Sequence, residues 1–172
     1  AELEKRARET LAEATAFVRE KGFIRMPDGP VKVITMPKFQ QGNAVAYNDS
    51  PGPLERGEAN FYAVSPIPEE WSDQQAQSFL AEYNEYMIHD LSIHEAMPGH
   101  YLQLDHSNRF PGTLRALLSS GPFVEGWAVY AEGVMKDEGY LGGDPLFQLT
   151  VLKMRLRSVT NTLLDIGIQT EG

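Results

Sequence analysis

The chain has no cysteine among its 172 residues. That excludes disulfide frameworks and thiolate metal sites, so any bound metal must be held by nitrogen and oxygen donors. It leaves the compartment open. Also missing is an apolar run long enough to cross a bilayer as a helix, about 20 residues. Positive charge is in short supply: 15 Lys and Arg stand against 24 Asp and Glu, a formal net charge of −9. This balance argues against nucleic acid and anionic membrane surfaces as partners. No internal repeat or low-complexity run is present. The sequence opens at Ala1 with no signal-peptide pattern and stops at Glu171-Gly172 without a terminal element. It reads as a fragment of a longer chain, with any export signal upstream or already removed. A hydrophobic fraction of 42% is ordinary for a globular protein, and the length supports one domain with its own core.

Histidine is scarce as well, with four in the chain. Two of them bracket the stretch His94-Glu95-Ala96-Met97-Pro98-Gly99-His100. Neutral imidazole is the commonest metal ligand, and a Glu beside one is the usual general base of a zinc hydrolase. Six residues separate the histidines, about 600° on a regular helix, which would point them apart. Pro98-Gly99 predicts a distortion that brings His100 back beside His94. Phe79, Tyr83, Met87 and Leu91 recur at helical spacing and His94 continues the row, so His94 is expected to face a core. A lone histidine there reads as a satisfied core residue; with Glu95 and His100 attached it reads as a ligand. His89 and His106 lack this context and are taken as surface or capping residues.

A second helix supplies carboxylates. Ser120-Gly121-Pro122 marks its start, and the sequence from Phe123 to Met135 is apolar on nearly every side, predicting burial. Glu125 and Glu132 lie seven apart on one face. A buried carboxylate needs a cation, a donor or a proton. A metal held by His94 and His100 would serve Glu125; Arg or backbone partners are the alternative for either Glu.

The remaining chain frames these helices. Residues 2–21 form an amphipathic helix stopped by Gly22, with Leu3, Ala7, Leu11, Ala14 and Phe17/Val18 on one face. Segments 31–36, 42–48 and 59–64 read as strands separated by Pro- and Gly-rich turns, a small antiparallel sheet over 31–68. The metal helix is expected over 72–105, kinked at Pro98, followed by a short helix near 113–118, the Glu-bearing helix over 120–136 and a last helix over 144–165. On that last helix Leu149, Leu152, Leu156, Val159 and Leu163 form the expected core stripe. Arg155 and Arg157 flank it, as substrate clamps or as plain salt-bridging residues. The fold class is α+β and mainly helical.

His94-Glu95-x-x-Pro98-Gly99-His100, followed by Glu125-Gly126-Trp127-Ala128-x-Tyr130-Ala131-Glu132, closely resembles a bacterial family of unknown function placed among the gluzincin-like metallopeptidases. The resemblance is specific over residues 94–132 and looser elsewhere. It implies a zincin-like metal helix, one Zn²⁺ held by His94, His100 and Glu125, Glu95 as general base, and a peptide substrate. It also implies a longer full chain, or a second subunit, completing the cleft, and it favours the bacterial periplasm or cell envelope. Gluzincin relatives often bind the substrate main chain on an edge strand, here 42–48 with Asn43, although plain hairpin packing explains that segment as well. They stabilise the oxyanion with a Tyr or His, for which Tyr130 and Tyr140 are candidates. Glu132 and Asp165 are possible supporting residues around the metal. Two departures stand out: the wider His–His spacing relative to ordinary gluzincins, and Gln169, where family members often carry a His shortly after Asp165-Ile166-Gly167. The favoured expectation is a zinc-dependent hydrolase of peptide bonds. Its rivals are a metal-binding module without catalysis, a helical interaction domain, and a di-iron helical bundle, which needs Glu-x-x-His pairs that this chain lacks.

Overall fold

Ala7, Leu11, Ala14 and Val18 recur every three or four residues and bury one face of helix α1 (Glu2–Lys21). Acidic residues in its first turn and Arg19 and Lys21 in its last suit the helix dipole, and Gly22, at φ 66°, ends it. The computed structural model describes residues 2–171 other than Arg56, Pro111, Thr113, Arg115 and Ala116, with only the backbone of Glu171.

Three strands follow, β1 (Val31–Thr35), β2 (Ala46–Asp49) and β3 (Asn60–Val64), in the order β1-β3-β2. β2 pairs antiparallel with β3, but β1 and β3 run parallel, with Val31 opposite Asn60. The sheet is therefore mixed, not antiparallel as expected. The chain reverses after β1 and again after β2, so β3 runs in the direction of β1. It then inserts between the other two strands. The turn signals mark each reversal but carry no information about which strand becomes the neighbour. The second strand is also shorter than the expected 42–48: residues 42–45 are irregular and lead into β2.

The expected helix over 72–105 is three helices: α2 (Asp73–Glu82), α3 (Glu85–Glu95) and α4 (His100–Asn108). Ser72 and Gln75 form a capping box at the start of α2. The first break comes at Asn84, whose side chain accepts from Met87 N–H and caps α3 in extended backbone. Asn prefers such caps because its amide competes with helical hydrogen bonding. The second break is the 96–99 turn. Helix α5 (Gly121–Asp137) starts at Ser120, which caps Phe123 N–H, and α6 (Pro145–Glu171) closes the chain. The short helix expected near 113–118 falls largely outside the described residues.

Helix α3 is central, packed against α1, α5, α6 and β2. Its Ile93, with Ala96, Met97, Tyr101 and Leu102 beyond it, joins Val18, Val33, Tyr62 and Phe147 in the core. A buried hydroxyl chain ties three elements together: Thr10 meets Ser92 at 2.7 Å, and Ser92 donates to the Tyr62 oxygen at 3.3 Å. Two burial expectations change. Among the described residues of α6 only Phe147 and Val151 are buried, while the row from Leu149 to Leu163 is exposed, because the helix packs along the face of Phe147 and Val151 and not along that row. On α5 the buried residues are Ala128, Ala131, Glu132 and Met135, whereas Phe123 and Tyr130 are exposed, so the helix is buried along one face only.

Candidate metal centre

Two helix ends and a tight turn bring the histidines together. His94 lies in the last turn of α3 and His100 opens α4. Between them the N–H groups of Ala96 and Met97 both donate to the Ser92 carbonyl, at 3.1 and 3.0 Å, and the Met97–Pro98 peptide is cis. Gly99 then passes so close to the end of α3 that a Cβ would sit 1.9 Å from the His94 carbonyl oxygen and 2.3 Å from that of Ile93. The two imidazole rings end 4.8 Å apart between centroids and nearly perpendicular, at 88°.

Glu125, in the second turn of α5, reaches the same place. Its Oε2 lies 3.6 Å from His100 Nε2 and 3.9 Å from His94 Nε2. One donor atom from each of the three residues falls within 4.8 Å of the others. A tetrahedral ion held at about 2.0–2.2 Å needs donors about 3.4 Å apart. The set, spread within 4.8 Å, must draw in by up to about 1.4 Å, and the Glu125 oxygen, at 3.6 and 3.9 Å from the two imidazoles, by a few tenths of an ångström. The Glu125 side chain is 70% exposed and free to make that adjustment. Trp127, two residues on, donates its indole N–H to the Pro98 carbonyl at 2.9 Å and ties α5 to the turn between the histidines.

Glu132 supports this set. Its Oε1 accepts from His94 Nδ1 at 2.6 Å, which leaves Nε2 facing Glu125 and His100. A carboxylate on the far nitrogen is the usual support of a ligating imidazole, fixing tautomer and ring angle. Burial opposes the charged form of His94, but Glu132, Glu95 and Glu125 outweigh it and raise its pKa. His100 moves down through burial and the charge of His94. Its Nδ1 is buried and has no hydrogen-bond partner among the described residues. Replacing Glu132 with Gln is expected to weaken metal affinity about 10–100-fold, measured by competition with a chromophoric chelator.

Glu95, next in sequence to His94, is buried, at 8% exposure. Burial is the main force raising its pKa, to about 7; His94 and a hydrogen bond from the Asn48 backbone N–H oppose the rise. A folded pKa above the unfolded 4.5 means that the native state holds the extra proton between these values. Stability of the metal-free protein should therefore fall as pH rises from about 4.5 to 7, by up to about 3 kcal/mol. Glu95→Gln should flatten that part of the curve in chemical denaturation of chelator-treated protein.

His94, Glu95 and Glu132 line a cleft of about 510 Å³ together with Asn43, Asp90 and Arg157, whereas His100 and Glu125 are not part of its lining. Asp90 is missing from the sequence expectations, although it lies one helical turn before His94. It is buried with Oδ1 unpartnered, and burial, reinforced by Glu132, pushes its carboxyl well above the usual range. Phe79 and Tyr83, expected in a core row, are half-buried and line this cleft. Other candidates lie elsewhere. Tyr130 is exposed and lines a different cavity with Pro98 and Trp127. Tyr140 is buried in the core, its hydroxyl 2.9 Å from His89 Nδ1. His89 is thus a buried residue between α1 and the 140–143 turn, not a surface one, because α3 is covered on more sides than its periodicity suggests. His106 is exposed and bonds to the Arg25 carbonyl. Asp165 is exposed on the distal part of α6 and does not line the cleft.

Among the solved structures similar to this chain, two are each described as a "putative lipoprotein". One, from Shewanella oneidensis, shares 36% identity at a TM-score of 0.83, over 96% of this chain and 29% of its own. The other, from Colwellia psychrerythraea, shares 25% at 0.76, over 96% of this chain and 27% of its own. The chain thus spans less than a third of the length of either. No curated protein matches it. The family described as bacterial protein of unknown function (DUF885) matches residues 1–172, and the chain belongs to that family.

Proposed function

We propose that this chain carries the centre of a zinc-dependent peptidase of the gluzincin type. The observation that carries the reading is the convergence of His94 Nε2, His100 Nε2 and the Glu125 carboxylate, with the sequence-adjacent Glu95 buried in the cleft that His94 also lines. Two imidazoles and one carboxylate suit zinc, and three protein donors leave a position open, as catalytic sites require. When bound, zinc supplies Lewis-acid chemistry, lowering the pKa of a bound water and polarising a carbonyl. His94, His100 and Glu125 would hold it, and Glu132 would keep His94 in the ligating tautomer. Glu95 takes a proton from the attacking water and hands it to the leaving nitrogen. Burial raises its pKa, which favours its taking up a proton.

Neither Tyr130 nor Tyr140 lines the cleft. That observation favours a second reading, a metal-binding module without turnover. The lipoprotein descriptions of both solved relatives support an envelope location for the parent protein. No helix among the described residues is long and apolar enough to cross a membrane.

Elemental analysis and a peptide-library digest, each with and without chelator, test the proposal. About one zinc per chain and cleavage that chelator abolishes and zinc restores are expected. Zinc without cleavage supports the second reading, and absence of zinc after supplementation removes both.

A further inference from the structure

The cleft beside His94 and Glu95 has an aromatic wall. Trp71 meets Phe79 edge-on at 5.4 Å between centroids, and Phe79 stacks on Tyr83 at 4.6 Å. All three line the cleft and remain only partly buried. Core packing does not account for them, because α2, which carries Phe79, buries no residue at all. The facing wall is α6. Arg155 and Arg157 are two residues apart, about 200° around the helix, so they serve different sides. Arg155 donates to the Val129 carbonyl at 3.3 Å. Arg157 lines the cleft, and no carboxylate or carbonyl accepts from it among the described residues.

We infer that this cleft receives the C-terminal residue of a peptide, with an aromatic side chain against Trp71, Phe79 and Tyr83 and its α-carboxylate on Arg157. The inference rests on the peptidase reading above, and it makes the activity that of a carboxypeptidase. A guanidinium offers a planar pair of donors that matches a carboxylate, and an unpaired one at the rim of a cleft is available for it. Aromatic rings prefer edge-on and offset partners, which the wall supplies. The volume lies within the range of small-ligand pockets, apolar walls with a few placed polar groups. Asp90, Glu95 and Glu132, which line the same cleft, are buried, whereas Arg157 is exposed. Of these groups the exposed guanidinium of Arg157 is the one that can pair with an incoming carboxylate.

Calorimetric titration of the zinc-supplemented Glu95→Gln protein tests the assignment without turnover. The probes are N-acetyl-glycyl-phenylalanine, its C-terminal amide, and N-acetyl-glycyl-alanine. The free acid should bind about tenfold or more tightly than the amide, and Arg157→Gln should erase that difference. The phenylalanine probe should exceed the alanine probe by about tenfold, and Trp71→Ala should erase this second difference while keeping the first. Phe79→Leu, a milder change, gives the same readout if Trp71→Ala fails to fold by circular dichroism. Equal binding of acid and amide, an acid preference that survives in Arg157→Gln, or no preference for phenylalanine over alanine overturns the inference. Zinc content of the same samples and chelator-sensitive peptide digestion by the wild-type protein report separately on the metal centre and on turnover, so failure of the subsite and failure of the peptidase reading are told apart.

Discussion

Peptide turnover is expected to fall about 10²–10⁴-fold in Glu95→Gln, with zinc content unchanged. Gln keeps the size of the side chain and its ability to accept from the Asn48 backbone N–H, so the fold around it should hold. It cannot take up a proton, and that is the role assigned to Glu95. Metal retention follows from the geometry, since the three converging donors are His94, His100 and Glu125. Single-turnover assays with metal analysis on the same preparation separate the two effects. Turnover close to wild type would remove Glu95 from the mechanism. Loss of zinc together with activity would make Glu95 a residue of the metal site itself. Glu95→Asp draws the carboxylate back by one methylene and should retain a small part of the rate, because proton transfer needs hydrogen-bond reach.

Much of the scaffold was legible in the sequence because it depends on local chemistry. The apolar spacing of residues 7–18 and the positive φ available to Gly22 define α1. Ser120 before Gly121-Pro122 defines the start of α5. The pairing of His94 with His100 was expected from Pro98-Gly99, and the structure places the two rings in contact. What the sequence withheld depends on tertiary neighbours. The insertion of β3 between β1 and β2 follows from long-range pairing, and no turn residue encodes it. The row of Phe79, Tyr83, Met87, Leu91 and His94 is continuous in spacing, yet Asn84 breaks the helix beneath it and turns the first two rings into a cleft wall. Asp90 belongs to neither the His-Glu motif nor the apolar row of α3, and its significance appears only once Glu132 arrives from α5. The apolar stripe of α6 shows the reverse failure. Periodicity signals that a face is suited to burial, and it does not say what covers it.

The largest expected loss of stability is in Gly99→Ala. Most glycines in the chain have room: at Gly126, one residue from the ligand Glu125, an added Cβ meets nothing within 4 Å. At Gly99 the same atom would lie 1.9 Å from the carbonyl oxygen of His94 and 2.3 Å from that of Ile93. These are backbone atoms at the end of α3, packed into the core through Ile93, so no side-chain rotation relieves the overlap. Either the end of α3 or the start of α4 must move by more than an ångström, and each carries one of the two histidines. The cost should be about 4 kcal/mol or more, beyond ordinary overpacking because the clash is with fixed backbone. Zinc affinity should collapse in whatever fraction still folds. Gly126→Ala is the matched control: it sits inside α5, where Ala is favoured over Gly by about 1 kcal/mol, and should be neutral or stabilising with zinc binding intact. Urea denaturation and zinc titration of both variants decide the matter. A Gly99→Ala protein with wild-type stability and affinity would mean that the two histidines do not depend on this close passage of α4 beneath the end of α3.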